Sequence, residues 1–160
     1  MRFKLAKIVS GGQTGADRGG LDAGRDLGIP TGGCAPKGFI TEVGPDRTLV
    51  GYGLYECSVP GYPARTKANV LDSDGTIIFD LCGNSPGSRL TKKLCVAAGR
   101  PYLYIKKIEE STPDDIVSFL RRNDIRVLNI AGNRESSKPG IKEAVRFIIK
   151  KSISLYDKIS

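Results

Sequence analysis

A chain of 160 residues, 39% of them hydrophobic, is long enough for one domain with its own core and holds no apolar segment of bilayer-spanning length. Histidine is absent, which excludes Ser-His-Asp and Cys-His catalysis and every histidine-based metal site. The net charge of +8 favours an acidic partner, yet the basic residues recur as scattered pairs (Lys92-Lys93, Lys106-Lys107, Arg121-Arg122, Lys150-Lys151) without interleaved aromatics. A solvated basic surface is therefore expected, and a nucleic-acid partner is not.

The opening residues carry no signal-peptide core, so a cytoplasmic location is the expectation. In that setting Cys34, Cys57, Cys82 and Cys95, with no Cys-x-x-Cys pair, read as free thiols rather than a disulfide framework or metal site.

Lys7 to Ser10 predicts a first strand, and Ser10-Gly11-Gly12-Gln13-Thr14-Gly15-Ala16-Asp17 a glycine-rich turn into a helix over about 15–27. Ala16, Gly20, Ala23 and Leu27 share one face of that helix, with small residues first, so it can lie close on a sheet. Ile29 to Cys34 predicts a second strand. Residues 35–61 show little periodicity and much Gly, Pro and Tyr, which predicts a long loop or lid. Pro60-Gly61-Tyr62-Pro63 launches a helix near Ala64 to Leu71. Thr76 to Phe79 is the clearest buried strand, and Ser85-Pro86-Gly87-Ser88 leads from it into a helix carrying Leu90, Leu94, Ala97 and Ala98. Pro101 to Ile105 reads as a fourth strand. Thr112-Pro113-Asp114-Asp115 starts a helix with an N1 proline and an acidic first turn. Arg126 to Ile130 reads as a fifth strand, and Pro139 opens a last amphipathic helix.

Strands alternating with helices predict a single α/β domain over residues 1–160. The expected core is an open, mainly parallel five-stranded sheet in flavodoxin-like order 2-1-3-4-5, with helices on both faces. Both glycine loops would then border the crevice beyond strands 1 and 3.

At the first loop, helix-start amides and the helix dipole make an anion site. Gly11, Gly12, Gln13, Thr14, Gly15 and Ala16 are the candidate cradle, with the Thr14 hydroxyl helping. The spacing matches neither the dinucleotide fingerprint nor the Walker loop, so the ligand stays open. Asp17 either serves the helix dipole or accepts hydrogen bonds from a ribose hydroxyl or a purine or pterin N–H. Arg65 and Arg134 are candidate phosphate clamps, or else surface ion pairs. Gly87, Ser88 and Thr91 form a second cradle or an ordinary cap. Glu135 is a weak candidate general base.

Gly11-Gly12-Gln13-Thr14-Gly15-Ala16-Asp17, Gly28-Ile29-Pro30-Thr31-Gly32-Gly33, Pro36-Lys37-Gly38, Arg65-Thr66, Ser73-Asp74-Gly75-Thr76 and Arg134-Glu135-Ser136 together resemble the molybdenum carrier family. That family is a Rossmann-like branch of the group containing the cytokinin-activating phosphoribohydrolases and DprA-type proteins. The resemblance implies a homo-oligomer that binds a phosphorylated pterin or nucleotide-like ligand, with molybdenum cofactor (molybdopterin) as cargo. The phosphoribohydrolases use Pro-Gly-Gly-x-Gly-Thr-x-x-Glu; here Gly83-Asn84-Ser85-Pro86-Gly87-Ser88 stands instead, without the glutamate. Binding is thus expected over hydrolysis. The alternatives are a nucleotide-type hydrolase using Asp17 or Glu135, and a module that contacts another protein through residues 35–61.

Overall fold

The computed structural model describes residues 4–159. Six parallel strands form its main sheet: β1 (Lys7–Val9), β2 (Thr31–Ala35), β5 (Leu54–Glu56), β6 (Gly75–Phe79), β7 (Tyr102–Ile105) and β8 (Val127–Gly132). Their order is β5-β2-β1-β8-β6-β7. A separate antiparallel hairpin joins β3 (Ile40–Thr41) to β4 (Gly44–Pro45). Helices α1 (Ala16–Asp26) and α4 (Thr112–Arg122) each pack against α5 (Ile141–Ile159), and α2 (Tyr62–Leu71) packs with α3 (Pro86–Ala98). Among the described residues no helix is long and apolar enough to cross a membrane.

The expected parallel α/β architecture stands, with two corrections. The last strand lies between the first and the strand of Thr76–Phe79, so the order is not 2-1-3-4-5. Burial gives the reason. Leu128, Asn129 and Ile130 of β8 are all buried, as a central strand demands, whereas Tyr102, Leu103 and Tyr104 of β7 are half-exposed, as an edge strand permits. Second, residues 35–61 are not structureless. They contain the hairpin, a 3-10 turn over Arg47–Tyr52 and the edge strand β5.

That edge strand also overturns the free-thiol expectation for two cysteines. Cys57 N–H donates to the Ala35 carbonyl at 2.8 Å, which lays the end of β5 beside β2, and Cys34 and Cys57 are joined as a disulfide. Cys82 and Cys95 are free.

Two apolar clusters hold the layers. The larger gathers Ile8, Ile77, Phe79, Leu128 and Ile130 of the sheet with Ile116, Leu120, Val145, Ile148 and Ile149 of the helices. A smaller one sets Leu21 of α1 against Phe39, Leu49, Tyr52 and Leu54, which seats the 35–61 segment on the body. The small face of α1 does what its spacing predicts. A β-carbon on Gly20 would come within 2.7 Å of the Ile130 Cβ, so the helix rides directly on β8.

Candidate functional site

The corrected strand order brings three loops together at the carboxyl edge of the sheet: 10–15 after β1, 133–140 after β8 and 80–85 after β6. Asn133 ties two of them. Its carbonyl accepts the Ala16 amide at 3.0 Å, and its side-chain oxygen accepts the Leu81 amide at 2.7 Å. Its Nδ2 donates to Asp80 at 2.9 Å. Asp80 is fully buried and also accepts hydrogen bonds from the Ser85 amide (2.9 Å) and the Tyr104 hydroxyl. Burial alone would raise its pKa, but the bonds from Tyr104, Asn133 and Ser85 outweigh that and hold it low. Burial and the same carboxylate push the Tyr104 phenol up to about 12.

Between these loops and α2 lies a cavity of about 340 Å³, a volume suited to a small ligand. Gln13, Asp17, Arg65, Gly87, Ser88, Thr91 and Arg134, seven of the residues singled out from sequence, line it together. Arg65 is aimed by its helix. Asn69, one turn on, is buried and pins α2 to β2 by bonds in both directions with the Cys34 backbone (2.8 and 2.9 Å). Arg65 then lies over Gly11, where a β-carbon would displace its guanidinium, and its Nη1 meets Asp17 Oδ2 at 3.2 Å. Asp17 also accepts the Gln13 amide at 3.1 Å. Burial raises its pKa, and Arg65 and the hydrogen bonds offset only part of that.

Three buried polar atoms have no hydrogen-bond partner among the described residues: Gln13 Nε2, Arg65 Nε and Ser88 Oγ. All three residues line this one cavity. The Ser88 hydroxyl does lie near enough to Tyr104 to act on its titration, without the geometry of a hydrogen bond. Arg65 and Arg134 flank the Tyr62 ring, their guanidinium carbons 5.5 and 5.1 Å from its centroid. The first turn of α3 opens here with an N1 proline and no side-chain cap, so its leading amides and the positive end of its dipole face the cavity. Thr91 turns its hydroxyl back to the Gly87 carbonyl at 3.0 Å.

The rest of the predicted set lies elsewhere. Gly12, Thr14, Gly15 and Glu135 line a second cavity of about 610 Å³ on the other side of the β1 loop, and Ala16 is buried in the core. The β1-loop amides are largely spent internally. Gly12 N–H donates to Ser10 Oγ (3.3 Å), Gln13 N–H to Asp17 and Thr14 N–H to Gln13 Oε1 (3.0 Å). Thr14 Oγ1 donates to Glu42. The Glu135 carboxylate accepts the Gly140 and Lys142 amides at 2.7 and 3.0 Å, capping the start of α5.

Asn133, Asp80, Tyr104 and Tyr62 shape the cavity without having been assigned a role from sequence. The signal for Asp80 was present, since a charged residue ending the most apolar strand must be partnered. The others depend on which loops meet.

A family model described as the circularly permutated YpsA SLOG family matches residues 8–153. The chain is also similar to a solved structure, a putative molybdenum carrier protein from Syntrophus aciditrophicus SB. The two share 39% identity with a TM-score of 0.85, over 92% of this chain and 94% of that one. No curated protein matches.

Proposed function

The chain belongs to the circularly permutated YpsA SLOG family, and on that premise we propose that it is a carrier that binds a phosphorylated pterin, molybdenum cofactor, or a nucleotide-like equivalent in the 340 Å³ cavity. One observation carries the reading: the three residues with a buried, unpartnered polar atom, Gln13, Arg65 and Ser88, all line the same cavity. Such groups are costly unless something arrives to meet them. The name of the similar solved structure supports a molybdenum-linked cargo.

In this reading the phosphate meets the Gly87 and Ser88 amides, the Ser88 hydroxyl and the guanidinium groups of Arg65 and Arg134. Tyr62 offers the ring system a face. Asp17 and Gln13 meet its polar edge, a carboxylate accepting from ring N–H groups and an amide donating to ring acceptors. Among the described residues no cluster of three His, Cys, Asp or Glu could hold a metal ion, so in this proposal any metal belongs to the cargo.

Thermal unfolding with AMP, ADP-ribose, GTP, a phosphorylated pterin and free molybdate tests the proposal. A ligand at about a hundred times its Kd adds roughly 2.7 kcal/mol, a shift of several degrees. The pterin is expected to give that shift, and Arg134→Ala, on an exposed residue, to weaken pterin affinity by about tenfold to a hundredfold without lowering the unliganded Tm. If no phosphate-bearing ligand shifts the transition, the carrier reading is abandoned.

Asp17 favours a second reading. A buried carboxylate whose pKa is raised, on a cavity wall, is suited to proton transfer in hydrolysis of a nucleotide-type ligand. Product formation that disappears in Asp17→Asn supports it, and no turnover across a nucleotide panel removes it.

A further inference from the structure

The hairpin of β3 and β4 reaches over the β1 loop and sets one carboxylate there. Its turn residue Glu42 accepts Thr14 Oγ1–H and the Ser136 amide (3.1 Å) on one oxygen, and the Ser136 hydroxyl on the other. The Thr14 oxygen also accepts the Glu135 amide at 3.3 Å, which commits its proton to Glu42. Arg134 adds positive charge. Burial opposes ionisation of Glu42, but the Ser136 and Thr14 bonds and the Arg134 charge outweigh it, and the carboxyl titrates below its usual range. Of its neighbours in the turn, Thr41 is buried and Val43 is 80% exposed.

Every group offered to the Glu42 carboxylate is a donor from the β1 and β8 loops rather than from the hairpin, and the Glu42 amide itself donates to Gln13 Oε1 at 2.9 Å. Without Glu42 those donors would face the 610 Å³ cavity that Thr14, Gly15, Glu135, Ser136 and Lys142 line. The Thr14 hydroxyl with the Ser136 amide and hydroxyl suits any oxyanion, and a carboxylate and a phosphate end ask the same of these donors.

We infer that Thr14 and Ser136 form a second oxyanion subsite, and that Glu42 is its placeholder, displaced when the hairpin lifts and a tetrahedral anion or the phosphate end of a larger ligand enters. The inference does not depend on what the 340 Å³ cavity holds.

Calorimetric titration with inorganic phosphate and with AMP tests it on the full chain. Removing an internal competitor raises apparent affinity by the inverse of the fraction of molecules that were open. Glu42→Ala should therefore bind phosphate about tenfold or more tightly than the unaltered chain. The gain should persist in Glu42→Ala with Arg65→Ala, which disables only the other cavity, and be largely lost in Glu42→Ala with Ser136→Ala. A larger gain for AMP than for phosphate assigns the subsite to a ligand's phosphate end, and equal gains to the free anion. Unchanged affinity in Glu42→Ala, or a gain that survives Ser136→Ala, overturns the inference. Should Glu42→Ala lose its cooperative unfolding transition, Glu42→Gln keeps the side chain but removes its charge, and a smaller gain in phosphate affinity is then expected, with no gain overturning the inference.

Discussion

Asp17 and Asp80 are both buried near the carboxyl edge of the sheet, and their surroundings push them in opposite directions. The pKa of Asp17 is raised above the usual 3.8 by burial, so its contribution to stability is complete below that pH and is lost as pH rises through its folded value. That of Asp80 is lowered, because three donors outweigh its burial; its contribution is present above 3.8 and is lost as pH falls through its folded value. Thermal denaturation of the two asparagine variants across acid and neutral pH should therefore diverge. Relative to the unaltered chain, Asp17→Asn gains ground as pH rises. Asp80→Asn should be about 1–3 kcal/mol less stable at neutral pH, a deficit that shrinks on acidification. Parallel pH profiles would show that neither environment acts as described.

At the scale of elements, the fit of α1 on β8 rests on the absence of a side chain. Alanine is a better helix former than glycine by about 1 kcal/mol, so propensity alone makes Gly20→Ala stabilising. The Ile130 Cβ and Cγ1 atoms, 2.7 and 2.8 Å from the added methyl position, are fixed close to the backbone and cannot step aside. Overpacking of this kind costs about 1–3 kcal/mol and wins. Urea unfolding should show a lower midpoint at unchanged slope, and an equal or higher midpoint would mean that the helix has room to lift. The spacing of small residues made this face legible in the sequence. The same cannot be said of the hairpin, whose strands are two residues each and leave no periodicity to read.

For the whole molecule, the Cys34–Cys57 bond closes a loop across 23 residues of sequence and locks the β5 edge to the sheet. Loss of such a link costs about 2–4 kcal/mol, chiefly through the unfolded chain. Cys57→Ser and treatment with reductant should lower the transition by similar amounts, and reductant should leave the Cys57→Ser variant unmoved. The bond also ends just before α2, the helix that carries Tyr62 and Arg65 to the cavity, so the same comparison can be made on ligand affinity.

The parallel α/β class, the helix faces and seven of the residues that line the smaller cavity were legible because each is written locally. Apolar periodicity marks elements, glycine and proline mark their ends, and the sheet's carboxyl edge gathers the loops. Gln13, Asp17, Arg65, Ser88 and Arg134 were found that way, far apart in sequence and together in space. Strand order was not legible, since a parallel strand reports only that it is buried and not which strands flank it. With β8 between β1 and β6, Asn133 and Arg134 came into the crevice, and the β1 loop divided its residues between two cavities. The pairing of Cys34 with Cys57, the seat of Glu42 and the internal use of the β1-loop amides follow from the same cause. Each joins groups that sequence leaves distant, and only tertiary packing decides which distant groups meet.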